Sequence, residues 1–288
     1  VPGMKLRTKS LGLLGVEVEG LDLRQSIDEE NWFALRELVM AEGVVVFRDQ
    51  PMESGDQVAL GRRFGELENT SPDQQPLEES DFLLSNVGED GSVRSDTDVM
   101  MQLVAINEGW HTDSSFREVP ASFSLFSALT VPAEGGDTFF ASLRLGWDSL
   151  TTEEQISLYG LRARHDYHRA YVARNVDMTS VFDGEAPAAV HPIVRVHPET
   201  GQTALYLTQH MYEVEGMDSE ASERLIHHLL EACIASERIY RHAWSPGDLL
   251  IWDNRSMLHR AQGFDAAFPR IMRHVRVAGE GPAVAAVR

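Results

Sequence analysis

His111 and Asp113, two apart in Gly109-Trp110-His111-Thr112-Asp113, place an imidazole and a carboxylate on one side of an extended chain. A second imidazole, His259, lies far downstream. Two histidines and one carboxylate occupy one face of an octahedral ion and leave the opposite face open, the donor set expected of a non-haem Fe(II) oxygenase. An H-x-D tripeptide alone recurs by chance and is more often a satisfied polar pair. The surroundings of His259 and Arg270 lift it above that background.

A keto-acid co-substrate that chelates such a metal leaves its far carboxylate in need of a partner. Arg270, eleven residues beyond His259, suits it because a planar guanidinium makes two parallel charge-assisted hydrogen bonds. Thr138, at the end of Gly135-Gly136-Asp137-Thr138, adds a hydroxyl donor. Taken singly, Arg270 reads as a surface ion pair and the glycine pair as a turn; the spacing from His259 favours the co-substrate role.

These groups need a frame. Asp28 to Met40 carries Trp32, Leu35 and Val39 on one helical stripe, and Val44 to Phe47 is a continuous apolar run suited to a buried strand. Gln57 to Phe64 predicts a second short helix and Leu83 to Val87 a strand. The polar stretch of some twenty residues before His111 predicts an irregular loop near the site. Ser122 to Leu129 and Thr138 to Ala141 predict strands. Thr151-x-x-Glu154 is a capping-box pattern for a helix reaching Tyr159. Ile193 to Val196 and Ala204 to Leu207 flank a hairpin turn, and Asp218 caps a helix bearing Leu225, Leu229 and Cys233. Strands return at Ile239 to Trp244, Leu249 to Trp252 and Ile271 to Val277. Many strands with few helices, and no regular βαβ units, predict a β-sandwich or barrel core with helices outside.

The 288 residues carry a formal net charge of -20, spread along the chain, which excludes nucleic acid as a partner. An anionic substrate must then be drawn in locally, by arginine or metal. Cys233 is the only cysteine, so a disulfide or a cysteine-based metal cluster is excluded, and its apolar helical setting reads as an inert buried thiol. No apolar stretch approaches the ~20 residues of a membrane span. The N-terminal residues lack a signal-peptide layout; Met4 is the expected natural start, with Val1-Pro2-Gly3 a remnant ahead of it. A soluble cytoplasmic protein, one domain over residues 1–288 and a homo-oligomer, is expected.

Other histidines read as structural. His165 and His168 lack a carboxylate at useful spacing, His227-His228 lies on a solvated helix face, and His191 and His197 each precede a proline in extended chain. Trp110 and Trp252 read as packing around the site.

Asn107 to Asp113 (N-E-G-W-H-T-D), G-G-D-T, His191 to Gly201 (H-P-I-V-R-V-H-P-E-T-G), Gly216 to Asp218, W-D-N-R and Arg270 occur in an order and spacing that resemble the taurine/2,4-D dioxygenase family of Fe(II)- and 2-oxoglutarate-dependent oxygenases. The resemblance covers nearly the whole chain. It implies a double-stranded β-helix (jelly-roll) core, His111, Asp113 and His259 as ligands of Fe(II), and Arg270 with Thr138 on the distal carboxylate of 2-oxoglutarate, with O2 as oxidant. Asn107 and Trp110 would line the substrate side. Many members carry a second arginine four residues after the co-substrate arginine; here that position is His274, a pattern similar to the branch acting on phenoxypropionate herbicides. His274, Arg276 and Arg117 are the candidates for the substrate's acid group, Arg276 sharing a strand face with His274 while Arg273 points away. The resemblance implies hydroxylation beside an ether oxygen and collapse to a phenol and a keto acid. The aromatic part would lie against the loop before His111 and residues 167–181. Another small acid (a sulfonate, an N-acyl amino acid or a natural-product precursor), or a metal-binding jelly roll without turnover, are the alternatives.

Overall fold

A computed structural model describes residues 6–68, 81–88, 90–95, 98–172 and 188–288. In chain order, Arg7–Ser10 (β1) and Val16–Glu19 (β2) form an antiparallel pair, and Glu29–Glu42 is α1. Asp28 caps α1 by accepting from the Asn31 N–H, and Gly43 ends it at φ 82°. Val44–Phe47 (β3), Ser54–Phe64 (α2), Asp81–Ser85 (β4) and Val99–Ala105 (α3) follow, then a 3-10 turn at Ile106–Glu108. Next come Ala121–Thr130 (β5), Thr138–Ser142 (β6), Leu143–Asp148 (α4), Thr152–Leu158 (α5), Arg162–Asp166 (β7) and Tyr167–Val172 (α6). Ala188–Pro192 (β8), Val194–Val196 (β9), Thr203–Leu205 (β10), Met211–Val214 (β11) and Ser219–Cys233 (α7) lead to the last four strands. These are Ile239–His242 (β12), Leu249–Asp253 (β13), Met257–Ala261 (β14) and Ile271–Ala278 (β15).

The principal sheet runs β1-β2-β3-β13-β5-β15-β4, antiparallel except between β2 and β3. A smaller antiparallel sheet runs β12-β6-β14. Period-two alternation decides what each strand face meets. Val45 and Phe47 of β3 and Leu249 and Ile251 of β13 share one apolar cluster with Trp32, Leu35 and Val39 of α1 and Phe64 of α2. Their neighbours Val44, Val46, Leu250 and Trp252 turn to the opposite face and pack with Phe140 of β6 and Met257 of β14. The principal sheet is therefore covered by helices on one face and by the small sheet on the other. That double burial is why β3 and β13 read as unbroken apolar runs. A third cluster, Ala141, Leu143, Leu258, Leu229 and Cys233 among others, closes the far side of the small sheet with α4 and α7.

Close approach of α2 to β15 depends on Gly61, where an added Cβ would lie 2.7 Å from a Val275 methyl. The predicted capping box at Thr151 and Glu154 is formed, both hydrogen bonds being present.

The strand-rich architecture with flanking helices agrees with the sequence reading, and three details differ from it. Residues 99–108, expected as irregular loop, form α3 and the 3-10 turn. The chain around His259, where the sequence predicts no strand, is β14. His111 and Asp113 do not lie on a regular strand: His111 makes a single antiparallel bridge to His259, and the chain then turns, with Ser114 at φ 55°.

Candidate metal centre and co-substrate cradle

His259 shares the face of β14 with Met257, so its ring enters the gap between the two sheets. The His111 N–H donates to the His259 carbonyl and the His259 N–H to the His111 carbonyl, each at 2.9 Å. Residues opposed in this way carry side chains to the same side, and the two ring centroids stand 4.2 Å apart.

Asp113 arrives from the turn that follows. Its Oδ1 lies 4.0 Å from His111 Nε2 and 3.7 Å from His259 Nε2. One donor atom from each of His111, Asp113 and His259 falls within 4.8 Å of the others, and all three residues are buried. The surrounding bonds leave those atoms free. His111 Nδ1 donates to the Gly109 carbonyl at 2.8 Å, which directs the Nε2 lone pair to the centre. Asp113 Oδ2 accepts from Ser124 Oγ at 2.6 Å, and the Asp113 N–H donates to Asn254 Oδ1 at 3.2 Å. Asn254 Nδ2 donates to Ser124 Oγ at 2.9 Å, and Trp252 Nε1 donates to Asn254 Oδ1 at 3.0 Å. The principal sheet thus grips one carboxylate oxygen and turns the other toward two imidazole nitrogens.

Protonation states match. Burial holds His111 and His259 below the ordinary imidazole value, Asp113 pulling the other way. For Asp113, burial opposes ionisation, yet His259, His274 and Arg276 together keep its carboxyl well below the ordinary range. Neutral imidazoles and an ionised carboxylate are the forms that ligate a divalent ion.

Arg270 stands immediately before β15. Its N–H donates to Asn86 Oδ1 at 2.7 Å, while Asn86 Nδ2 donates to the carbonyls of Ala266 and Phe268 and so fastens the connection from β14. The guanidinium is buried; Nη2 donates to the Gly136 carbonyl at 3.0 Å, Nε has no hydrogen-bond partner, and no carboxylate pairs with it among the described residues. Burial lowers its pKa to about 10, against the pull of Asp137. A buried cation with an uncommitted N–H is a seat for an anion. Gly136, at φ 72°, permits the approach, since a Cβ there would lie 3.0 Å from Arg270 Nε. Thr138, two residues on, accepts from Trp244 Nε1 at 3.0 Å, leaving its own O–H to donate.

The remaining sequence candidates divide. His274 comes to the centre, with Nε2 3.6 Å from Asp113 Oδ2 and its ring against Phe82, Phe126 and Trp252. Arg276 follows on the same face, Nη1 donating to Ser114 Oγ at 3.3 Å and Nε lying 3.1 Å from Glu68 Oε2. Arg117 lies 3.7 Å from Glu68 Oε1. Arg273 points away, as alternation requires, and pairs with Asp81. Trp110 packs on the third cluster and under the Arg260 guanidinium. Asn107 is half-buried in the 3-10 turn. Of the stretch 167–181, residues 173–181 lie outside the described residues; Tyr167 stacks on His210 and meets Phe116 edge-on. His191 bonds the Arg117 carbonyl and His197 bonds Asp253, in keeping with structural roles. Sequence reasoning missed Ser124, Asn254 and Glu68. Asn254 lies inside W-D-N-R, and Ser124 is a polar residue within an apolar strand; Glu68 carries no sequence signal.

The model of the taurine catabolism dioxygenase TauD, TfdA family matches residues 7–278. The chain belongs to that family. The (S)-phenoxypropionate/alpha-ketoglutarate-dioxygenase of Sphingobium herbicidovorans is 37% identical over 276 residues, 92% of each chain. The alpha-ketoglutarate-dependent 2,4-dichlorophenoxyacetate dioxygenase of Cupriavidus pinatubonensis is 35% identical, over 91% of this chain and 93% of its own. Among solved structures, AAD-2 in complex with Mn(II) and N-oxalylglycine superposes with a TM-score of 0.90 at 30% identity, over 98% of this chain and 100% of that one. This TauD/TfdA protein is an Fe(II)- and 2-oxoglutarate-dependent dioxygenase acting on a small molecule. Among the described residues, no helix is long and apolar enough to cross a membrane.

Proposed function

We propose that His111, Asp113 and His259 hold the iron, that Arg270 and Thr138 receive the distal carboxylate of 2-oxoglutarate, and that the substrate is an aryloxyalkanoate of the phenoxypropionate type. The convergence of three buried donor atoms, together with a buried guanidinium that no carboxylate pairs with among the described residues, supports the first two assignments. Iron held by His111, Asp113 and His259 would, with 2-oxoglutarate and O2, supply the oxidising equivalents for inserting one oxygen atom into a substrate carbon, the other oxygen ending in succinate and CO2 leaving. The protein's own groups bind and orient. Ser124 and Gly109 fix the two donor orientations, and burial of the ligands keeps bulk water from the centre.

Arg276, one strand step from His274 and tied to the turn that carries Asp113, receives the substrate's carboxylate, with Arg117 beside it. Hydroxylation of the carbon bearing the carboxylate gives a hemiketal or hemiacetal that expels a phenol and leaves a keto acid. Asn107 and Trp110 border the aryl group, with Phe116 and Tyr167 as apolar walls. Support for the substrate class comes from the relatives acting on (S)-phenoxypropionate and 2,4-dichlorophenoxyacetate. The chain works as one domain over 1–288. It is a homo-oligomer, for which exposed Leu13, Phe33 and Phe268 offer apolar surface, and it acts in the cytoplasm, where its lone buried thiol is at home.

The decisive experiment follows succinate and phenol release over a panel of 2-aryloxypropionates, aryloxyacetates, sulfonates and N-acyl amino acids. Phenol is expected from the aryloxy acids. Product from another acid class with none from these overturns the substrate assignment. An Asp113→Ala variant that still oxygenates at the wild-type rate overturns the ligand set.

A further inference from the structure

The Thr138 hydroxyl is held from behind. Thr138 opens β6 opposite His242 of β12, is buried, and accepts from Trp244 Nε1 at 3.0 Å. The indole is fixed in its turn by one ring from each sheet. His242 meets it edge-on with centroids 4.5 Å apart, and Phe126 of β5 meets it edge-on at 5.5 Å. His242 is locked between two partners, Nε2 donating to Asp248 Oδ2 at 3.2 Å and Nδ1 accepting from the Tyr240 hydroxyl at 2.9 Å. Asp248 Oδ2 also accepts from the Ser245 N–H at 2.8 Å and from Arg48 Nη1 at 2.5 Å. One buried carboxylate thus closes the turn that follows Trp244 and braces the ring beside it.

We propose that Trp244 is a positioning residue whose indole N–H aims the Thr138 hydroxyl proton at the distal carboxylate of the co-substrate, and so helps the site select 2-oxo acids that carry a second carboxylate. The inference rests on the reading that Thr138 and Arg270 receive that carboxylate. A hydroxyl has one proton and two lone pairs and rotates to suit its neighbours. With an N–H directed at the oxygen, the hydroxyl proton must turn away from the indole, and Thr138 Oγ1 makes no other hydrogen bond among the described residues. Accepting one hydrogen bond also polarises the O–H into a stronger donor. Arg270, bonded to the Gly136 carbonyl two residues before Thr138, supplies the charge, and Thr138 supplies a direction. Without the indole N–H the hydroxyl is free to turn, and part of its bond to the carboxylate is offset by the freedom it gives up. An acid such as 2-oxovalerate, which ends in a methyl where 2-oxoglutarate has its second carboxylate, gains nothing from the aim of this hydroxyl.

The test is binding to the full chain loaded with Mn(II), read calorimetrically for 2-oxoglutarate and for 2-oxovalerate. Trp244→Phe keeps an aromatic ring against His242 and Phe126 but has no N–H. It is expected to weaken 2-oxoglutarate about three- to tenfold, the worth of one hydrogen bond, and to leave 2-oxovalerate unchanged. Thr138→Ala is expected to weaken 2-oxoglutarate at least as much, and adding Trp244→Phe to that variant to leave the ratio of the two affinities where it stands. Equal weakening of both acids by Trp244→Phe, an unchanged 2-oxoglutarate affinity, or full additivity in the double variant overturns the proposal. Should Trp244→Phe fail to fold, benzothienylalanine at position 244, in which sulfur replaces the N–H, decides by the same ratio. Thr138→Ala binding 2-oxoglutarate as wild type does overturns the underlying reading of Thr138, whatever the Trp244 variants show.

Discussion

Ser124 Oγ donates to Asp113 Oδ2 at 2.6 Å, and this bond decides which oxygen of the carboxylate faces His111 and His259. Ser124 lies on β5 of the principal sheet, whereas the two histidines are paired at the edge of the small sheet. The metal centre therefore joins the two halves of the sandwich, and its geometry depends on how they pack.

Ser124→Ala removes that bond and leaves Asp113 free to rotate. Loss of a partner behind a metal ligand typically weakens affinity by about 10–100-fold. Titration with Mn(II) or Fe(II) is expected to show a drop in that range, and the melting temperature to fall as well, because Asn254 Nδ2 loses its buried acceptor. An affinity equal to wild type removes Ser124 from the account.

Gly136→Ala places a Cβ 3.0 Å from Arg270 Nε at a backbone φ of 72°. The guanidinium must shift or the turn must strain, at about 1 kcal/mol or more for the backbone alone. The KM for 2-oxoglutarate is expected to rise several-fold, and substrate KM at saturating 2-oxoglutarate to change less. Arg270→Lys, which keeps the charge but loses the fork, is expected to raise the same KM more steeply. Steady-state kinetics with 2-oxoglutarate varied checks both.

Asp253 is fully buried, and Arg255 donates to Oδ1 and Oδ2 at 2.8 and 2.9 Å while His197 Nε2 bonds Oδ2 at 2.8 Å. Burial opposes its ionisation, but Arg255 and His197 hold the folded-state carboxyl well below the ordinary range. A depressed folded-state pKa means the unfolded chain takes up the proton first as pH falls. The stabilisation is therefore complete above about pH 4, near the ordinary aspartate value, and drains away below it. Urea midpoints are expected to fall on acidification through that window. Asp253→Asn removes one of two carboxylates on Arg255, Glu199 remaining at 2.7 Å, and is expected to cost about 1–3 kcal/mol at neutral pH and to flatten that slope. Parallel acid slopes for the two proteins contradict the assignment.

Gly61→Val forces a side chain against the Val275 methyl, already 2.7 Å from a Cβ built at that position. Overpacking of this kind costs about 1–3 kcal/mol. Because α2 lies over β15, which carries His274 and Arg276, substrate KM is expected to rise along with the loss of stability. Chemical denaturation and kinetics on the same variant separate the two effects.

Local chemistry made much of the protein legible in the sequence. The apolar runs of β3 and β13, the Asp218 cap and the Thr151 capping box each depend on neighbours within a few residues, and each formed as predicted. His111, Asp113 and His259, whose donor atoms converge, were legible because metal chemistry restricts residue types and their spacing. Contacts made across the sandwich were not legible. The single bridge that sets His111 against His259, the turn at Ser114, the grip of Ser124 on Asp113 and the delivery of Glu68 to Arg276 and Arg117 all join segments far apart in the chain. Residue identity determined which groups were available to bind iron and anions. Packing of the two sheets decided which of their atoms face one another, because a hydrogen bond between distant strands leaves no periodicity for the sequence to show.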